Sequence, residues 1–219
     1  QEIYDGQRGA LTVHVGGLQT IYEAINSRIE SDLAKAESIA IPMNMVLLLI
    51  VFGTAVAAGL PMIVALAAIS GSMLVLRLLC LQTDVSVFAV NLVTGLGLGL
   101  GIDYALLVVN RFREELHSGH SVDESVTRTV ATAGRTVLFS GLAVSLVLAS
   151  MAVFPQYFLK SFAYAGVSVV TFAMVATIVA LPAALALIGH RIDSLRVRRG
   201  ALVTNDEGAW ASLARTVMK

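Results

Sequence analysis

Apolar positions in this chain gather into five blocks, preceded by an opening stretch of mixed pattern. A bilayer hydrocarbon core ~30 Å thick needs roughly 20 apolar residues in a helix. The blocks predict membrane spans over residues 41–58, 62–81, 85–110, 136–154 and 162–188. Gly59-Leu60-Pro61 marks the break between the first two. Pro61 suits the first turn of the second span, where its missing N–H costs nothing. Pro182 is expected to kink the fifth span or to end its regular part.

The polar segments predict the rest. Leu11-Thr12-Val13-His14-Val15 alternates like a short strand and is punctuated by Gly16-Gly17. Ile21, Ile25, Ile29, Leu33 and Ala36 then recur at helical spacing between Glu23, Glu30, Asp32 and Lys35. A strand followed by an amphipathic helix reads as a small α+β remnant over 1–40, the edge of a soluble domain, with the strand's partners outside this sequence. Ser121-Val122-Asp123-Glu124 is a capping box, and Val122, Val126 and Val130 form one apolar stripe. They predict a short amphipathic helix over about 121–133 that lies on the membrane surface and ends at Gly134. Residues 189–219 form a tail, basic and then mixed, whose end from Trp210 to Lys219 could form another interfacial helix.

Composition fixes the class. Of 219 residues 57% are hydrophobic and 14% charged, against about 25% charged in soluble domains. The blocks do not alternate as the strands of an outer-membrane barrel would, so the chain is an all-α membrane protein. Net charge is zero, but its placement is uneven. Arg111, Arg113, Arg128 and Arg135 follow the third span, and Arg191, Arg196, Arg198, Arg199, Arg215 and Lys219 lie in the tail. The opposite side has Lys160, with Arg77 near a helix end. The bias puts 111–135 and 189–219 in the cytoplasm and 1–40 outside an inner (plasma) membrane. An external segment beginning at Gln1 without a secretory signal needs an earlier span to export it, so a longer chain with at least one upstream helix is expected. A single cysteine, Cys80, rules out an internal disulfide or a thiolate metal cluster.

The candidate chemistry lies in the third span, at Gly95-Leu96-Gly97-Leu98-Gly99-Leu100-Gly101-Ile102-Asp103-Tyr104. Gly95/Gly99 and Gly97/Gly101 are overlapping small-xxx-small pairs that let a neighbouring helix approach. Their spacing fails the phosphate-binding G-x-G-x-x-G pattern. Asp103 falls about 7 Å past the span centre at ~1.5 Å per residue. An acid there costs on the order of 2.5–3.5 kcal/mol and marks a functional site by default. It is expected to face protein or an internal water pocket, where desolvation favours the neutral carboxyl and permits proton exchange. Tyr104 can share a hydrogen bond with an acid on a facing helix. Arg111 closes the span at the interface, and Ser140 is a hydroxyl of the fourth span. His14, His117, His120 and His190 are scattered, with Gly119 arguing for a solvated turn rather than a metal site. No catalytic triad, carboxylate pair or basic–aromatic nucleic-acid surface is visible, so neither an enzyme nor a nucleic-acid partner is expected.

Gly99-Leu100-Gly101-Ile102-Asp103-Tyr104 followed by Asn110-Arg111-Phe112-Arg113-Glu114-Glu115 resembles the resistance–nodulation–division superfamily, and within it the mycobacterial membrane protein large (MmpL) family of lipid exporters. Val51-Phe52-Gly53, Ala131-Thr132-Ala133-Gly134-Arg135-Thr136-Val137, Phe139-Ser140, Phe154-Pro155 and Leu181-Pro182-Ala183-Ala184 also match, and the branch is similar to the one serving mycolate-type lipids. The resemblance implies the end of a porter domain over 1–40 and the second to sixth spans of one transporter half over 41–188. It implies a proton relay at Asp103 and Tyr104, facing an equivalent Asp-Tyr pair in a second half. Ser140 would line the same channel, with Arg111 in support.

The expected function is proton-motive-force-driven export of an envelope lipid, with the bilayer, the lipid and the second half as partners and no cofactor besides the proton. A lipid- or sterol-sensing domain without transport is an alternative, against which Asp103 counts. Haem uptake is another, for which residues 1–40 offer His14, Tyr4 and Tyr22 as axial ligands.

Overall fold

The computed structural model describes residues 6–8, 11–13 and 17–195. His14, Val15, the tail from 196 onward and the interfacial helix expected at its end lie outside the described residues. The chain divides into two units between Asn44 and Met45.

In the first unit, β1 (Gly6–Arg8) pairs antiparallel with β2 (Leu11–Val13), with Gly6 opposite Val13 and Arg8 opposite Leu11. The strand therefore finds a partner inside this sequence. Gly6-Gln7-Arg8 has no apolar alternation and gave no strand signal, because ladder pairing uses backbone groups. Helix α1 (Leu18–Phe52) begins in this unit and contains Pro42.

The second unit is helical. The end of α1 is followed by α2 (Ala55–Leu79), α3 (Phe88–His117) and α4 (Val122–Thr129). A π-helical turn over Val130–Gly134 joins α4 to α5 (Arg135–Ser150). Helix α6 (Tyr157–Val175) passes through a second π turn, Ala176–Ala180, into α7 (Leu181–Ile188) and a 3-10 turn, Gly189–Asp193. Five continuous helical stretches among the described residues are long and apolar enough to cross a membrane. Helices α2, α3 and α6 each pack on the other two, α5 packs on α6, and α4 packs on α3 and α7. The contacts are made by small residues, with Ala57, Ala65, Ala68, Ala105, Ala165 and Ala173 fully buried. In lipid, close packing rather than water exclusion drives helices together. Leu74, Leu146 and Val179 point outward and are exposed, as side chains facing hydrocarbon should be.

The first break lies earlier than the Gly59–Pro61 expected from the pattern. Helix α1 ends at Gly53, whose φ of +70° is left-handed, and Thr54 is extended (φ −133°, ψ 140°) before α2 starts. Pro61 lies buried inside α2. A left-handed glycine stops a helix outright, whereas bundle helices in membranes accommodate proline.

The expected surface helix over 121–133 is also corrected. Ser121 Oγ does accept from the Glu124 N–H at 3.3 Å. The Glu124 carboxylate does not reach back; it pairs with Arg128 at 2.8 Å. Gly134 keeps a helical φ of −60° and is buried, so the helix runs on into the fourth span. Pro182 follows the second π turn directly, at the start of α7.

Candidate functional site

Helix α3 has a packed face and an open one. Val93, Gly97, Gly101, Ala105, Val108 and Phe112 are buried. Gly95, Gly99, Asp103, Leu107, Asn110 and Glu114 are exposed and follow one another at three- or four-residue steps, a single stripe along the helix. The glycine run divides between these faces. A Cβ on Gly97 would run into the Ile69 side chain, and one on Gly101 would stand 2.7 Å from the Ala65 Cα. At Gly95 and Gly99 a Cβ meets nothing within 4 Å. One small-xxx-small pair therefore seats α2, and the other is left free beside the acid.

Asp103 makes no hydrogen bond or ion pair among the described residues. With Leu106, Leu107, Asn110, Arg111 and Glu114 it lines an open groove of about 470 Å³. Asp103 is expected to face protein or an internal water pocket, but among the described residues no helix packs on its stripe. Tyr104, about 100° further round the helix, turns into the packed side and is 6% exposed. Its hydroxyl is buried without a partner among the described residues.

Below the groove, α3 ends in ion pairs that the sequence did not disclose. Arg111 does more than close the span: it bonds Glu114 at 2.9 Å and also Glu115. Buried Glu115 is bracketed on its other side by His120 Nδ1 at 3.1 Å. Arg113 Nη1 donates to the Phe52 carbonyl at 3.0 Å, and Nη2 pairs with Asp193 at 2.7 Å. His117 Nε2 stands 3.3 Å from the same carboxylate. Gly119 does supply the turn (φ +89°); His117 is exposed there beside Asp193, while His120 is half-buried against Glu115. Thr54 donates to the Ile192 carbonyl at 3.1 Å, and the Ala55 N–H to Leu195 at 3.2 Å. Together these contacts clamp the α1–α2 break between the ends of α3 and of the last helix.

A further set of polar groups went unnoticed in the sequence. Ser125, Thr129 and Thr177 are at most 1% exposed, and their hydroxyls have no partner among the described residues. Each such orphan costs about 1–3 kcal/mol unless something satisfies it. Ser140 is exposed on α5, which packs on α6 rather than on α3, so this half does not bring it to Asp103. No group of His, Cys, Asp and Glu among the described residues could hold a metal ion.

These features can be set beside known proteins. The chain is 48% identical over 204 residues to a membrane protein of Streptomyces coelicolor, covering 93% of this chain and 28% of the relative. It is 41% identical over 187 residues to the trehalose monomycolate exporter MmpL3 of Mycobacterium tuberculosis, covering 85% of this chain and 20% of the exporter. With the mycolic acid-containing lipids exporter MmpL11 of Mycolicibacterium smegmatis it shares 31% over 189 residues, covering 86% and 20%. The chain thus spans a fifth to little more than a quarter of the length of these relatives. The profile of the MMPL family matches residues 2–219. With five helices among the described residues long and apolar enough to cross a membrane, the chain belongs to the MMPL family.

Proposed function

We propose that this chain is part of a proton-motive-force-driven exporter of envelope lipids, in which Asp103 takes up and releases the proton and Tyr104 is its partner in the relay. The observation that carries the reading is the open stripe of α3. A carboxyl within a span is costly against lipid, and Asp103 has no partner among the described residues. Gly95 and Gly99 beside it leave room for another helix to come close. A second transporter half bearing its own Asp-Tyr pair would fill that face.

In this reading the basic end of the bundle is cytoplasmic, and residues 1–40 belong to an external domain that handles the lipid. Protonation neutralises Asp103 and lets the covering helix shift against α3; release restores the charge. A proton driven by 100 mV supplies about 2.3 kcal/mol. Arg111 borders the groove, fixed by Glu114 and Glu115, and supports the charge balance there. Ser140 would line the channel once an element from outside this chain covers the exposed face of α5. The lipid cargo is supported by the relatives, which are named as exporters of trehalose monomycolate and of mycolic acid-containing lipids.

The test is Asp103→Asn in the full-length protein. Export should stop while membrane insertion and melting temperature are kept, since the side chain makes no hydrogen bond or ion pair among the described residues. Normal export would overturn the reading.

A further inference from the structure

Several hydroxyls on these helices satisfy themselves. Ser72, Thr127, Thr132, Ser161 and Thr171 each donate to the carbonyl four residues back, at 2.7–2.9 Å. Ser125, Thr129 and Thr177 do not, although they are among the most deeply buried polar side chains, and Tyr104 joins them. Buried polar groups without a protein partner are the ordinary seats of internal water.

Their placement is ordered. Ser125 and Thr129 are one turn apart on the buried face of α4, which packs on α3 and α7. Thr129 abuts the first π turn and Thr177 lies in the second; the two π turns touch each other, and both touch α3. Pi turns are concentrated at functional positions. At ~1.5 Å per residue, Tyr104 stands about 20 Å above the His117 end of α3, Thr129 about 11 Å above the start of α4, and Ser125 about 5 Å above it. Tyr104, Thr129 and Ser125 thus descend from the level of Asp103 to the basic end of the bundle, and Thr177 sits in the turn that touches both α3 and the turn after Thr129.

We propose that Tyr104, Thr177, Thr129 and Ser125 line a hydrated path that carries protons between the Asp103 relay and the cytoplasmic end. The proposal rests on the proton-relay reading above. A hydroxyl is both donor and acceptor. Each one takes a proton on its oxygen from one water and gives its own to the next, so the chain returns to its starting composition after every passage. The path runs inside this half, on the packed side of α3, and is separate from the open groove that lines Asp103.

Proton flux into proteoliposomes holding the full-length protein tests it, together with radical labelling by internal water under an X-ray pulse. In the wild type, Tyr104 should be oxidised despite its burial. The double variant Thr129→Val with Thr177→Val keeps the side-chain shape; it should lose that labelling and slow proton flux about tenfold or more. Thr129→Ser with Thr177→Ser keeps the hydroxyls and should keep both. Unlabelled Tyr104 in the wild type would overturn the path, as would undiminished flux in the valine pair. Asp103→Asn leaves the labelling in place, so normal flux in that variant sinks the relay reading and not the internal water.

Discussion

Gly101 and Ala65 meet backbone to backbone: a methyl group on Gly101 would lie 2.7 Å from the Ala65 Cα and 3.0 Å from its Cβ. Gly101→Ala therefore has to push α2 and α3 apart, and overpacking of this kind costs about 1–3 kcal/mol. Gly99→Ala, two residues away, meets nothing in this half. Its expected signature is an unchanged melting temperature of the isolated segment with reduced lipid export by the full-length protein. Thermal unfolding in detergent and an export assay, run on both variants, separate the two faces of α3.

The α1–α2 break makes a second contrast. Gly53→Ala places a side chain at φ +70°, which costs about 1–2 kcal/mol. Pro61→Ala restores a helical N–H inside α2 and should leave stability unchanged or raise it. A protease-susceptibility midpoint would read the difference, and the reverse order would mean that the chain turns at the proline.

Arg113 holds the Phe52 carbonyl and Asp193 with the two arms of one guanidinium, its carbon 6.0 Å from the centre of the Phe52 ring. Lysine keeps the charge but cannot make both contacts at once. Arg113→Lys should cost about 1.5–3 kcal/mol, the range for a hydrogen bond to a charged group. Hydrogen exchange at Thr54 and Ala55 should quicken selectively, whereas uniform loosening of the bundle would argue against a local clamp.

Glu115 is buried between Arg111 and His120. Glu115→Gln removes the charge both of them face. Arg111 is 40% exposed and can turn to water, so the expected loss is about 1–3 kcal/mol rather than that of a fully buried pair. Chemical denaturation of this variant at two salt concentrations checks the claim: the wild-type advantage should shrink only slightly, because buried pairs are weakly screened.

The sequence pattern located the five crossing segments and singled out Asp103, because long apolar blocks and a solitary acid within one are local signals. Gly97 and Gly101 were equally visible, but their division from Gly95 and Gly99 was not. Spacing alone gives both pairs, and only a neighbour such as Ala65 decides between them. The break at Gly53 escapes the pattern because Pro61 is the stronger punctuation in sequence, although only the glycine adopts a left-handed φ. The contacts of Arg113 join positions as far apart as Phe52 and Asp193, and no periodicity connects those. Ser125, Thr129 and Thr177 were hidden differently. A helical hydroxyl ordinarily bonds its own backbone, and only the folded bundle shows which ones do not.

The π turn at Val130–Gly134 has one more consequence. The buried positions Ser125, Thr129, Ala133, Val137 and Gly141 repeat every four residues, slower than the ~3.6 of a regular helix. The wide turn absorbs the surplus residue and keeps one side of the rod aimed inward along its whole length. Deleting any single residue of that turn would leave length and hydropathy almost untouched. Yet it would roll the outer half of the rod by about 100°, swapping its inward-facing side chains for ones that now meet lipid.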